Sequence, residues 1–188
     1  MQIPPQWAPM QPRGSLVSFR QATTGQVGDV LVVLDEVAAW LASLGVQQWP
    51  HRFDSAWVLA AIEEGHTWLV DADGLSAATI TLEWSDQIWG PDDGSAGYVH
   101  RLAVRRHAAG LGPQLLGWAA EETIRQGRHF LRLDCVATNR RLRSYYESAG
   151  FQARGDVEVG GAPGQRRDAG PRILLSRYEL DLQSQQEG

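Results

Sequence analysis

The chain contains no lysine: all 17 of its cationic side chains are arginine. Without a lysine amine there is no Schiff-base chemistry, so a pyridoxal-phosphate enzyme or a lysine-dependent aldolase is excluded. A Walker-type nucleotide loop is excluded too, because it ends in Gly-Lys. Cysteine is almost as scarce. A lone Cys135 closes no disulfide within the chain and builds no Cys-rich zinc site. No apolar run approaches the ~18 residues of a membrane span, and no membrane contact is expected. The N-terminus lacks a basic stretch followed by an apolar one, so no signal peptide is expected and the cytoplasm is the expected location. Acidic residues outnumber basic ones by 22 to 17, a net charge of −5 that offers no global attraction to nucleic acid.

What is present is a globular composition, 43% apolar and 21% charged over 188 residues. That length suits a single domain with tails. Residues 1–14 hold four prolines and read as an irregular arm, 15–182 as one domain, and 183–188 as a polar tail. A first strand is expected at 16–20. Val30, Leu31, Leu34, Val37, Ala38 and Leu41 keep helical spacing up to Gly45. Asp54 or Ser55 caps a second helix running to Glu64. Short β-forming runs follow at 67–70, 75–84 and 98–104, the last preceded by a polar loop over 85–97. A helix at 114–126, a strand at 130–136, a helix at 140–149, a strand from 151, a loop at 160–171 and a strand at 172–182 complete the chain. The expected order is β-α-α-β-β-β-α-β-α-β-β. This is an α/β architecture: one mixed sheet, helices on both faces, with strands joined through helices expected to pair parallel.

The sharpest local feature is a strand ending Leu102-Ala103-Val104, then Arg105-Arg106-His107-Ala108-Ala109-Gly110-Leu111-Gly112-Pro113, then a long amphipathic helix. Small residues let a ligand approach the backbone, and a helix N-terminus presents unpaired N–H groups with partial positive charge. Arg105 and Arg106 add fixed charge, and Pro113 suits the first helical turn. Two readings fit these residues alone: a seat for a pyrophosphate, or an ordinary tight strand–helix connection.

Downstream, Asn139, Tyr146, Gly150 and Phe151 carry the spacing Asn, Tyr seven residues on, then Gly-Phe opening a strand. With the 102–112 element, this resembles the GNAT superfamily of acetyl-CoA-dependent N-acetyltransferases over about residues 16–182. The order of elements and the segment Leu44-Gly45-Val46-Gln47-Gln48-Trp49 resemble it as well. The chain departs from the pattern in a glycine loop about two residues shorter than usual, in His107 where the family carries Gln or Arg, and in Pro113, which removes an amide.

The resemblance implies acetyl-CoA as co-substrate, no metal, and transfer of acetyl to a primary amine of a small molecule or peptide by direct attack. It implies cofactor contacts at Leu102, Ala103, Val104, Arg105, Arg106, His107, Ala109, Gly110, Leu111, Gly112 and Asn139. Tyr146 would protonate the leaving thiolate, its hydroxyl being a neutral donor at pH 7; Tyr145 is the substitute. Tyr146 read by itself is a core-facing helical aromatic, and Asn139 by itself a helix N-cap. For the general base, His100 and Glu83 compete; strict alternation would put Tyr98, His100, Leu102 and Val104 on one face. Asp134 reads as a structural acceptor. His51, His66 and His129 show no ligand spacing, and Cys135 reads as a small apolar residue.

Trp40, Trp49 and Trp84 are the candidates for an acceptor wall, against a reading of each as packing. Asp86, Asp92 and Asp93 read as a solvated loop that also suits attraction of an amine. Two other function classes remain: a non-catalytic acyl-CoA-binding sensor or interaction module, and an RNA-associated module using Arg140, Arg141, Arg143, Arg166 and Arg167. The oligomeric state is expected to be a monomer or homodimer.

Overall fold

The apolar spacing produces helices and strands where it is regular. The computed structural model describes residues 16–160 and 172–184. The expected arm, nearly all of the 160–171 loop with Arg166 and Arg167, and the last residues of the tail lie outside the described residues. The chain order is β1 (Val17–Gln21), α1 (Val27–Ser43), α2 (Ala56–Glu63), β2 (Thr67–Ala72), β3 (Leu75–Glu83), β4 (Ala96–Val104), α3 (Gly112–Arg125), β5 (Phe130–Val136), α4 (Arg140–Ser148), β6 (Gln152–Val159) and β7 (Ile173–Asp181). This is the expected order. β4 starts two residues earlier than expected, since Ala96 and Gly97 pair with β5.

All seven strands form one mixed sheet ordered β1-β2-β3-β4-β5-β7-β6. Only β4 and β5, joined through α3, pair parallel as expected. The same expectation fails twice. β1 and β2 pair antiparallel although two helices separate them. The helix α4 connects β5 to β6, yet β7 inserts between them and pairs antiparallel with both. Pairing depends on where a crossover lands, which helix periodicity does not encode.

Neighbouring residues on β2 show why the sheet needs two helical layers. Leu69 belongs to the cluster with Val30, Val33 and Leu34 of α1 and Val58 and Ile62 of α2. Val70 belongs to the cluster with Leu115, Leu116, Ala119 and Ala120 of α3 and Tyr146 of α4. Alternating strand side chains point to opposite faces, so both faces are apolar and both must be covered. On the α3 side Phe19, Trp68 and Trp118 form a ring stack, with centroids 4.9 and 5.0 Å apart along it. These tryptophans are packing, not pocket.

Two features shape the centre of the sheet. In β4, Arg101 and Leu102 together oppose the single residue Ile80 of β3, a β-bulge. Arg101 takes φ +47°, a left-handed conformation that costs a non-glycine residue roughly 1–3 kcal/mol. The bulge overturns strict alternation: Leu102 and Val104 pack with the cluster that holds Val99, while Ala103 packs with α1 and α2. Second, β4 and β5 pair only from Ala96 to Val99 against Phe130 to Leu133. Beyond Val99 the two strands separate, and the β5-facing edge of β4 has no strand partner among the described residues.

Arg105, at the end of β4, is tied back to α1. Its guanidinium forms an ion pair with Glu36 and donates to the Ser76 carbonyl at 3.2 Å. The hydrogen bond that Arg105 donates to Glu36, with the attraction of the Arg105 charge, holds the Glu36 carboxyl below its ordinary value. A lowered folded-state pKa adds stability that is complete above the ordinary value of 4.5 and disappears as pH falls through the lowered one. Glu36→Gln is therefore expected to melt slightly below wild type at neutral pH, by about 1 kcal/mol or less for so exposed a pair. The two melting curves should converge in acid; a gap that persists at low pH would assign the loss to packing instead.

Candidate active site

The separation of β4 from β5 opens a cavity of about 430 Å³, within the range of small-molecule sites. One wall is β4 at Val99–Leu102, another is β5 at Asp134 and Val136, and the floor includes Tyr145 and Tyr146 of α4. The end of α1 and the segment after it cover it through Trp40, Leu44, Val46, Gln48 and Trp49. Trp40 and Trp49 thus line the cavity. Trp84 does not: Arg128 lies over its ring at 5.3 Å, donates to its carbonyl, and anchors it to the core.

Below the cleft, the glycine loop makes a short 3-10 turn at Arg106–Ala108 and enters α3. Gly110 has φ +104°, which excludes side-chain-bearing residues. The loop amides of Arg105, Ala108, Ala109 and Leu111 bond to backbone carbonyls, whereas those of Gly110, Gly112 and Gln114 have no such acceptor. Three donors at a helix N-terminus beside an unpaired strand edge suit an anionic or carbonyl-bearing ligand. Of the expected phosphate-facing charges, Arg105 is committed to Glu36 and Ser76, while Arg106 and His107 are exposed.

Asn139 caps α4, its side-chain oxygen accepting from the Leu142 amide at 3.1 Å. Its Nδ2 donates to Gln48 at 3.0 Å, and Gln48 also accepts from the Val136 amide at 3.4 Å. Gln48 is buried at 8% exposure, and it ties the segment after α1 to the end of β5 across the cleft. Sequence reading passed over this bridge, because nothing local marks a glutamine as buried.

α4 is held by a chain of hydrogen bonds: Arg143 donates to the Tyr178 hydroxyl, which donates to Glu147, both at 3.0 Å. This seats Tyr146 between Phe151 and Tyr178, with both ring centroids 5.8 Å away. Burial pushes the Tyr146 hydroxyl far above its usual pKa, so it stays protonated at any physiological pH. Tyr146 packs in the core and also lines the cavity.

At the cavity's other end, His100 Nε2 lies 3.7 Å from both the Glu83 and Asp86 carboxylates. One atom each of Asp86, His100 and Asp134 lie within 4.8 Å of one another. Asp86 is not part of a solvated loop: its side chain is 5% exposed. Asp92, by contrast, is an exposed partner of Arg128. The loop is clamped where Trp89 sits between Arg132 at 4.8 Å and Arg177 at 5.3 Å, and where Arg177 donates to the Ile88 carbonyl. That clamp delivers Asp86 to His100. The grouping was illegible in sequence, because its members come from a loop and two strands far apart in the chain.

A cleft between splayed parallel strands, with a glycine loop entering a helix, is an architecture suited to group transfer. Comparisons with known proteins give the family. Residues 34–151 match the model of the acetyltransferase (GNAT) family. The chain is 38% identical over 140 residues to a Bacillus subtilis (strain 168) protein described as uncharacterized N-acetyltransferase YesJ, covering 65% of this chain and 74% of that one. In fold it is similar to a GNAT-family acetyltransferase from Listeria monocytogenes, with TM-score 0.66 and 23% identity over 88% of this chain and 94% of that one. It is also similar to yncA from Salmonella typhimurium, solved with its cofactor acetyl-CoA, with TM-score 0.62 and 18% identity over 89% and 94% of the two chains. This chain belongs to the GNAT acetyltransferase family. Among the described residues, no helix is long and apolar enough to cross a membrane.

Glu83 behaves oppositely to Glu36: burial, only partly offset by Arg101, raises its pKa above 4.5. A carboxyl with a raised folded-state pKa withdraws stability as pH rises through that value. The melting temperature of Glu83→Gln relative to wild type should therefore increase from about pH 4 to about pH 7; a difference that shrinks over that window would contradict the burial. The Cys135 thiol is pushed up to about 12, mainly by burial. A thiol reagent at pH 8 should find no reactive group in the native protein and one after denaturation.

Proposed function

We propose that the protein transfers the acetyl group of acetyl-CoA to a primary amine of a small molecule or peptide, in a ternary complex, without a metal. The observation that carries this reading is the cleft where β4 leaves β5 above the free amides of Gly110, Gly112 and Gln114. The unpaired edge of β4 and Asn139 would hold the pantetheine arm, and the loop from Leu102 through Gly112 the diphosphate. Arg106 and His107 are the side chains free to reach it.

Bound in this cleft, acetyl-CoA supplies an activated acetyl thioester. His100 takes the proton that the amine must lose, and the nearby Glu83 and Asp86 carboxylates stabilise the charge it gains. The amine nitrogen then forms the amide bond as the carbon–sulfur bond breaks, and Tyr146 returns a proton to the departing sulfur. Of the two candidate bases, His100 is preferred: its side chain lines the cavity, whereas Glu83 is not among the lining residues. Trp40 and Trp49 form the acceptor wall, and Asp134 faces the same space.

The test is thiol release from acetyl-CoA over a panel of aminoglycosides, polyamines, amino acids and peptide N-termini. Tyr146→Phe should lower kcat about a hundredfold or more. His100→Ala should lower turnover most at low pH, where the amine arrives protonated. An unchanged pH–rate profile would remove His100 from the mechanism. CoA binding with no thiol release from any amine would favour the acyl-CoA sensor.

A further inference from the structure

A second tyrosine at the cleft is left unexplained by this mechanism. The Tyr145 hydroxyl is wholly buried and has no hydrogen-bond partner among the described residues, although the ring lines the cavity. A buried hydroxyl left unpaired is unfavourable, and a phenylalanine would fill the same space without that cost. Its position is specific. A Cβ built on Gly112 would stand 3.0 Å from this oxygen, so the hydroxyl presses against the first residue of α3. The Gly112 and Gln114 amides at that same turn lack acceptors. The hydroxyl and these amides are donors at one turn without an acceptor, and a ligand oxygen would supply one.

We propose that Tyr145 is a co-substrate anchor whose hydroxyl donates a hydrogen bond to an oxygen of acetyl-CoA at the start of α3. The proposal rests on the acetyltransferase reading and divides the labour of two adjacent tyrosines: Tyr146 serves proton transfer and Tyr145 serves binding. Their rings lie 5.6 Å apart, tilted by 53°. It also accounts for glycine at position 112, where no positive φ demands one: any side chain there would crowd the anchor.

Titration calorimetry with CoA on the full chain tests this. Tyr145→Phe is expected to weaken CoA about three- to tenfold, the worth of one hydrogen bond. The loss should fall on Kd and on the KM for acetyl-CoA more than on kcat, and the ligand-free melting temperature should hold or rise. Gly112→Ala should weaken CoA in the wild-type background but little further in Tyr145→Phe, where the crowded oxygen is gone. S-acetylpantetheine separates the two oxygen sources. An equal loss for it and CoA assigns the bond to the pantetheine carbonyls, and a loss for CoA alone assigns it to the diphosphate. An unchanged CoA Kd in Tyr145→Phe, or a loss matched by a lower ligand-free melting temperature, overturns the anchor. Wild-type protein that fails to bind CoA overturns instead the acetyltransferase reading beneath it.

Discussion

The site depends on one departure from regular sheet geometry. At Arg101, β4 carries one residue more than β3 can match, and two residues earlier, at Val99, its pairing with β5 ends. A parallel sheet that stayed closed here would satisfy its own backbone and leave no room for a ligand. The bulge instead turns the end of β4, frees its β5-facing edge, and sends Leu102 and Val104 to one face and Ala103 to the other. The cavity, the placement of His100 and the run of the glycine loop follow from that turn. The left-handed backbone at Arg101 is locally unfavourable, and it persists because pairing with β3 on both sides over-determines it.

The absence of lysine gains meaning beside this geometry. The arginines are mostly structural clamps: Arg105 joins β4 to α1, Arg128 covers Trp84, and Arg132 and Arg177 enclose Trp89. Planar guanidinium groups suit such work, because they stack on aromatic faces while donating to carbonyls. Glu36, at the surface and hydrogen-bonded, is held below its ordinary value, while half-buried Glu83, beside His100, is held above it.

Much of the architecture was legible in the chain. Apolar residues in α1 and α3 recur at helical spacing, and β5 alternates Leu131, Leu133 and Cys135 inward, so these elements announce themselves locally. Two residues of the Asn139–Tyr146–Gly150 spacing, Asn139 and Tyr146, line the cavity. The strand neighbours were not legible: the antiparallel partnership of β1 and β2 and the insertion of β7 depend on which strand edges remain free once crossovers have packed. Nor do local patterns show that Trp84 and Arg105 are each engaged by a partner remote in sequence.

The sequence by itself determined the order of elements, the two-sided apolar sheet, the position of the glycine loop and the residue types able to carry acetyl transfer. Those properties are written in spacing, and spacing survives without a fold. Tertiary structure alone decided that Asp86 meets His100, that Gln48 bridges to Asn139, and that the Tyr145 hydroxyl reaches Gly112. Contacts of that kind depend on distances across the sheet and on a single-residue bulge, and no local periodicity encodes either.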